Sequence, residues 1–169
     1  MLNALRRRAE TRKASDALLA GTIARARQPV FYEKLGVPDT IDGRFDLLVL
    51  HAWLVLDRLT EQGADTLSQS LVDALFVQFD EALREQGAGD MGMGKRMTKM
   101  ADAFFGRLKA YREAADEKAL ADAIVRNLYR GDAAKVEQAA ALAIYAASAR
   151  ESLSQADLIA GAPDFGPEP

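Results

Sequence analysis

From Phe45 to Leu59 the chain reads FDLLVLHAWLVLDRL, apolar on nearly every side of a helix yet carrying one His, one Trp and an Asp-Arg pair. A helix that is apolar all round belongs in the middle of a bundle, not on its surface. The apolar stretch from Leu47 to Leu56, interrupted by His51, is about half the roughly 20 residues needed to cross a bilayer. The pattern predicts a buried core helix of a soluble protein over about Gly43–Gln62, capped by Thr40 or Asp42, ended by Gly63 and roughly 30 Å long.

The flanking segments repeat a weaker version of the same pattern. Residues 15–27 start at a Ser or Asp cap and carry Leu18, Leu19 and Ile23, an amphipathic helix that ends before Gln28-Pro29. A short helical turn, VFYEKLG, stops at Gly36. Leu67–Glu85 sets Leu71, Ala74, Leu75, Phe79 and Ala82 on one face. After a glycine-rich loop from Gly87 to Gly94, Lys95–Ala115 places Met97, Met100, Phe104, Leu108 and Tyr111 three and four apart. Lys118–Arg130, closed by Gly131, and the alanine-rich Ala133–Leu153 complete the set, and the tail GAPDFGPEP is expected to be disordered. No strand-like alternation occurs. The expected fold is all-α, a single-domain bundle of six to seven helices around the central apolar helix. It would comprise a basic arm over 1–13, a helical domain over 14–153 and a disordered tail over 154–169.

Composition narrows the chemistry. Ala, Leu, Glu, Lys and Arg dominate the 169 residues and β-branched residues are thin, which favours helix. Without cysteine there is neither a disulfide framework nor thiolate chemistry, and a single His excludes any site needing two imidazoles. A net charge of -3 gives no overall pull toward nucleic acid or anionic membrane, and no DNA partner is expected. The first residues depart from that average. Arg6, Arg7, Arg8, Arg12 and Lys13 make them basic, and no apolar h-region follows Met1, so they do not form a secretory signal. Their plain reading is a solvated, frayed helix start; the sharper one is a basic arm touching anionic lipid or RNA.

Candidate motifs are few. Gly89 to Lys95 spells G-x-x-x-x-G-K, but Arg96 stands where a magnesium-holding hydroxyl should follow, and a helix precedes it where a phosphate loop has a strand. What survives is a set of amides at the start of the Lys95 helix, beside Lys95, Arg96 and Lys99, able to hold an anionic group of a partner. His51 shares a helical stripe with Leu47, Leu54 and Arg58. It could ligate haem, paired with Met91 or Met93, though a hydrogen-bonded core histidine is simpler. Asp57 and Arg58 are placed to pair with neighbouring helices and set the bundle's register. No Glu-x-x-His motif supports a di-iron site and no Ser sits in a nucleophile elbow, so an enzyme is the weaker class and no metal or cofactor is expected. The aromatics read as core. Phe104 and Phe105, adjacent on a helix, point about 100° apart, which brings at least one of them near the surface.

Taken together these segments resemble the ubiquinol–cytochrome c chaperone family. The carrying elements are Leu50-His51-Ala52-Trp53, Arg58-Leu59, Phe76 with Asp80 and Arg84, the glycines from Gly87 to Gly94, Lys95 to Met100, Phe105-Gly106 and Arg126-Asn127, spread over roughly residues 31–131. The resemblance implies a non-enzymatic assembly chaperone for ubiquinol–cytochrome c reductase (complex III) that binds newly made cytochrome b. Mitochondrial relatives act near the ribosome with a small helper protein. The compact chain here is similar to bacterial relatives, which implies a cytoplasmic protein, peripheral at the inner membrane. A membrane-protein client calls for an apolar groove with a polar rim. Trp53, Phe104 or Phe105, and Tyr111 are then expected as anchors beside the central helix, and Lys95, Arg96, Lys99 and Arg126 as rim contacts. His51, Asp57, Arg58 and Asn127 are expected to be structural. Two other classes stay open: a haem or small-ligand binder using His51, and a ribosome or membrane adaptor acting through residues 1–13.

Overall fold

Thr40 is extended, and its Oγ1 accepts the backbone N–H of Gly43 at 3.1 Å, which starts the central helix α3 (Ile41–Glu61). Gly43 is required there, because a Cβ on it would run into the carbonyl of Pro38. Gly63, at φ +66°, ends the helix in the left-handed region that costs glycine nothing. The structure, a computed structural model, describes residues 2–85 and 90–169; the predicted glycines Gly87 and Gly89 lie outside the described residues. Around α3 run α1 (Leu2–Ala26), α2 (Pro29–Glu33), α4 (Asp65–Glu85), α5 (Asp90–Arg112), α6 (Glu117–Asn127) and α7 (Val136–Gln155). Two 3-10 turns lie at Ala133–Lys135 and Leu158–Ala160, and the described residues contain no strand.

The all-α expectation holds, with α3 touching α1, α4, α5 and α7 at once. Leu47, every residue from Val49 to Leu56, and Leu59 are buried, which is why this segment is apolar on nearly every side. Helix α1 packs along α4, α4 and α5 form an antiparallel hairpin, and α6 and α7 form another. Asp116 caps α6 by accepting the N–H of Ala119 at 2.7 Å.

Three boundaries differ from the sequence expectation. Helix α1 runs from Leu2, not from residue 15. No Pro or Gly interrupts residues 2–20, and Arg6 and Glu10 pair across one turn at 2.9 Å. Helix α5 starts at Asp90 and takes Gly92 and Gly94 into its first turns, so the loop expected up to Gly94 is helical from Asp90 onward. The tail, expected to be disordered, is packed. Leu158 and Phe165 are buried, and Gly161 (φ +95°) lets the turn lie against Ala14 and Ala17 of α1. Arg25 donates to the carbonyl of Pro167. The prolines suggested an unfolded tail, but two large apolar side chains at about 1.5–3 kcal/mol each on burial outweigh them.

Candidate client-binding face

The C-terminal half of α3 and the α4–α5 hairpin enclose a groove of about 490 Å³. Leu56, Val72, Phe105 and Leu108 supply its apolar surface, and Lys109, Arg112 and Glu113 its charged rim. The hairpin is held by an aromatic cluster. Phe76 meets Phe104 edge-on at 5.4 Å and stacks on Phe105 at 5.9 Å and 20°. The 100° step between Phe104 and Phe105 turns the first fully inward and leaves the second 53% exposed.

That geometry revises the expected anchors. Trp53, Phe104 and Tyr111 are buried, and of the four only Phe105 is on the surface. Trp53 lies 5.6 Å from the Tyr111 ring, with the Arg150 guanidinium 5.5 Å from its centroid, so its size fills the junction of α3, α5 and α7. Lys95, Arg96 and Lys99 are exposed on the N-terminal half of α5, and none has an ion pair among the described residues. The expected amide site at Lys95 is not at a helix start, because α5 begins five residues earlier and those amides are spent inside the helix. Arg126 is exposed on α6 and does not line the groove. Asn127 donates to the Ala123 carbonyl within α6. Leu56, Val72 and Leu108 were not singled out as groove residues. Their spacing is that of any core residue, and only their place along the groove distinguishes them.

His51 is enclosed. Its Nδ1 donates to the Leu47 carbonyl at 2.8 Å, which places the proton there, and its Nε2 accepts from the Tyr145 hydroxyl at 3.0 Å. The hydroxyl accepts in turn from Arg25 Nε at 2.9 Å, and Phe31 and Phe165 pack edge-on against the imidazole. With both ring nitrogens used and no exposed surface, His51 is closed to haem; of the two methionines suggested as its partner ligand, Met93 is buried on α5 and Met91 has its side chain outside the described residues. Burial pulls the imidazole down to about 4. A depressed histidine contributes stability present above its unfolded value of about 6.5 and lost as pH falls through 4. Asp46 acts in the opposite sense, because burial pushes its carboxyl up to about 6 and the folded chain then binds that proton more tightly than the unfolded one. The stability advantage of the native chain over His51→Gln should therefore shrink by about 3 kcal/mol between pH 6.5 and 4. Urea unfolding of both proteins across that range measures it, and parallel pH curves would refute the assignment.

Charged pairs also tie helices together, and among them only Asp46 and Arg107 are buried. Asp46 on α3 lies between Arg107 Nε of α5 (2.7 Å) and Arg130 Nη2, just past α6 (2.8 Å). Asp57 is shared by Arg112 of α5 (3.3 Å) and Arg150 of α7 (2.9 Å). Arg58 donates to the Ser154 carbonyl of α7 at 2.8 Å and pairs with Glu61 at 3.2 Å.

The sequence profile described as ubiquinol-cytochrome C chaperone matches residues 33–163. The ubiquinol-cytochrome-c reductase complex assembly factor 1 of Xenopus laevis is 26% identical over 102 residues, covering 58% of this chain. The matched part is 51% of that relative, so the chain spans about half its length. The crystal structure of the Cbp3 homolog from Brucella abortus superposes with a TM-score of 0.83 at 36% identity, over 99% of this chain and 97% of that one.

Proposed function

We propose that this chain, which belongs to the ubiquinol-cytochrome C chaperone family, is an assembly chaperone for ubiquinol–cytochrome c reductase that holds newly made cytochrome b against its α4–α5 face. The carrying observation is the family match over residues 33–163, supported by a likeness to the Brucella abortus protein that extends over nearly the whole chain. The role is non-enzymatic: a client is bound, shielded and released with no bond made or broken.

The face suits such a client physically. A segment waiting to enter a bilayer offers apolar area flanked by polar ends. Phe105 supplies a half-exposed aromatic surface above Leu56, Val72 and Leu108, large enough for one or two apolar side chains. Lys95, Arg96 and Lys99, one to three turns away on the same helix, are cations available for acidic or carbonyl groups of the client. No helix among the described residues is long and apolar enough to cross a membrane, so contact with the membrane-bound complex would be peripheral. A helper protein or the ribosome as a further partner rests on the family resemblance alone.

The reading is tested in cells that lack the chain. Assembled reductase and cytochrome b should both fall, and the native chain should restore them. Phe105→Ala combined with Lys95→Glu and Lys99→Glu should restore much less at equal protein abundance. Normal reductase levels in the deleted cells would remove the assembly role, whereas full rescue by the triple variant would remove only the face.

A further inference from the structure

The charges of this chain are segregated. Residues 1–13 carry five cations and one carboxylate, a net +4, which leaves the remaining residues with seventeen cations and twenty-four carboxylates, a net -7. In the structure the cations are carried on helix α1. Residues 3–10 of α1 are exposed at every position, and Thr11 is the first that is even partly covered. These eight exposed residues span roughly 12 Å along the helix axis, more than one Debye length at physiological salt, with Arg7 and Glu10 bordering a shallow depression beside Gly63–Leu67. Arg6 is paired with Glu10, but Arg7, Arg8, Arg12 and Lys13 have no ion pair among the described residues.

An apolar element accompanies the charge. Leu5, at 61%, is the most exposed large apolar side chain among the described residues, and Ala9 follows it one turn later on the same face. At 100° per residue Arg6 and Lys13 flank that stripe on one side and Arg8 and Arg12 on the other. Ile159, the next most exposed at 60%, borders a depression shared with Arg7, Glu10 and Thr11, so a second apolar side chain stands at this end of the molecule.

We infer that the first three turns of α1 dock the protein on an anionic phospholipid surface, lying along the headgroups with Leu5 directed into them. A basic helical segment with an apolar stripe is built for that interface. The charge segregation also orients the molecule, since the same surface that attracts the arm repels the body. An RNA partner fits less well, because residues 1–13 contain no aromatic side chain to stack on a base and an exposed leucine has nothing to do on a phosphate backbone. With only a short apolar stripe, binding should be mainly electrostatic and reversible by salt. The inference stands apart from the client reading, because it concerns the opposite part of the sequence and needs no cytochrome b.

The test is co-sedimentation of the full chain with vesicles of phosphatidylcholine alone and of phosphatidylcholine mixed with phosphatidylglycerol. The native protein should bind only the mixed vesicles and be released by salt. Arg7→Glu combined with Arg8→Glu and Arg12→Glu should weaken partitioning on the order of a hundredfold or more, at about 1 kcal/mol for each cation near the surface. Leu5→Asp should weaken it less. All four positions are outside the core, so far-ultraviolet dichroism and unfolding should stay native. Binding that ignores lipid charge, or that survives the triple reversal, overturns the inference. So does a chain that leaves vesicles alone and instead binds RNA through these arginines, or that self-associates through them.

Discussion

Replacing Asp46 with alanine should destabilise the protein by about 3–5 kcal/mol, because it leaves Arg107 buried without its counter-charge. For a chain of this size that is a fall in Tm on the order of 10 °C. Asp46 itself is fully buried, and the two guanidiniums approach it at 2.7 and 2.8 Å at angles too oblique for regular hydrogen bonds, so the contact is one of charge. Burial outweighs that attraction, which is why the carboxyl is pushed up to about 6 instead of sitting below its usual value. The triad therefore adds little over an apolar equivalent while being severe to break in half. Its two arginines come from α5 and from Arg130, whose φ of 56° puts a non-glycine residue in the left-handed region to reach the carboxylate. The double variant Asp46→Leu with Arg107→Met should recover much of the loss. Thermal unfolding followed by circular dichroism separates these outcomes: a single Asp46→Ala change within 1 kcal/mol of native, on the scale of an ordinary surface substitution, would show the triad to be irrelevant to the fold.

Trp53→Ala and Phe105→Ala should part company. Truncating Trp53, 1% exposed at the junction of three helices, should cost about 3–5 kcal/mol through the cavity it leaves. Phe105→Ala, with half its surface already in water, should cost under about 1 kcal/mol, mainly the lost stacking on Phe76. Their effects on client capture should run the other way once protein is compared at equal folded fraction: Phe105→Ala impaired, a folded Trp53→Phe close to native. A Trp53→Ala variant as stable as the native chain would contradict the packing described for α3.

The fold was legible because α3 is unusual. A segment apolar on nearly every side has one place to go, and the segments that form α1, α4 and α5 each show an apolar face at helical spacing, whereas the alanine-rich α7 shows none. The caps at Thr40 and Asp116 and the stops at Gly63 and Gly131 follow from short-range chemistry that a sequence displays. The tail was misread because Leu158 and Phe165 acquire their value only when Gly161 turns them onto α1, a tertiary event with no local signature. The site was less legible than the fold. Core and groove draw on the same residue types, so Trp53, Phe104, Phe105 and Tyr111 look alike along the chain. The 100° step showed that at least one of Phe104 and Phe105 lies near the surface, but not which. Likewise, Arg107 reads as another surface cation of α5 until Asp46 is seen opposite it.

The central claim, that the chain holds cytochrome b during assembly of ubiquinol–cytochrome c reductase, is tested most directly by capture from native membranes. The tagged protein would be isolated in mild detergent and its co-purifying chains quantified by mass spectrometry, beside the tagged Phe105→Ala, Lys95→Glu, Lys99→Glu variant. Cytochrome b should be enriched with the native chain and depleted with the variant at matched recovery. Abundant, folded protein that brings down no cytochrome b above the level of an unrelated tagged control would contradict it.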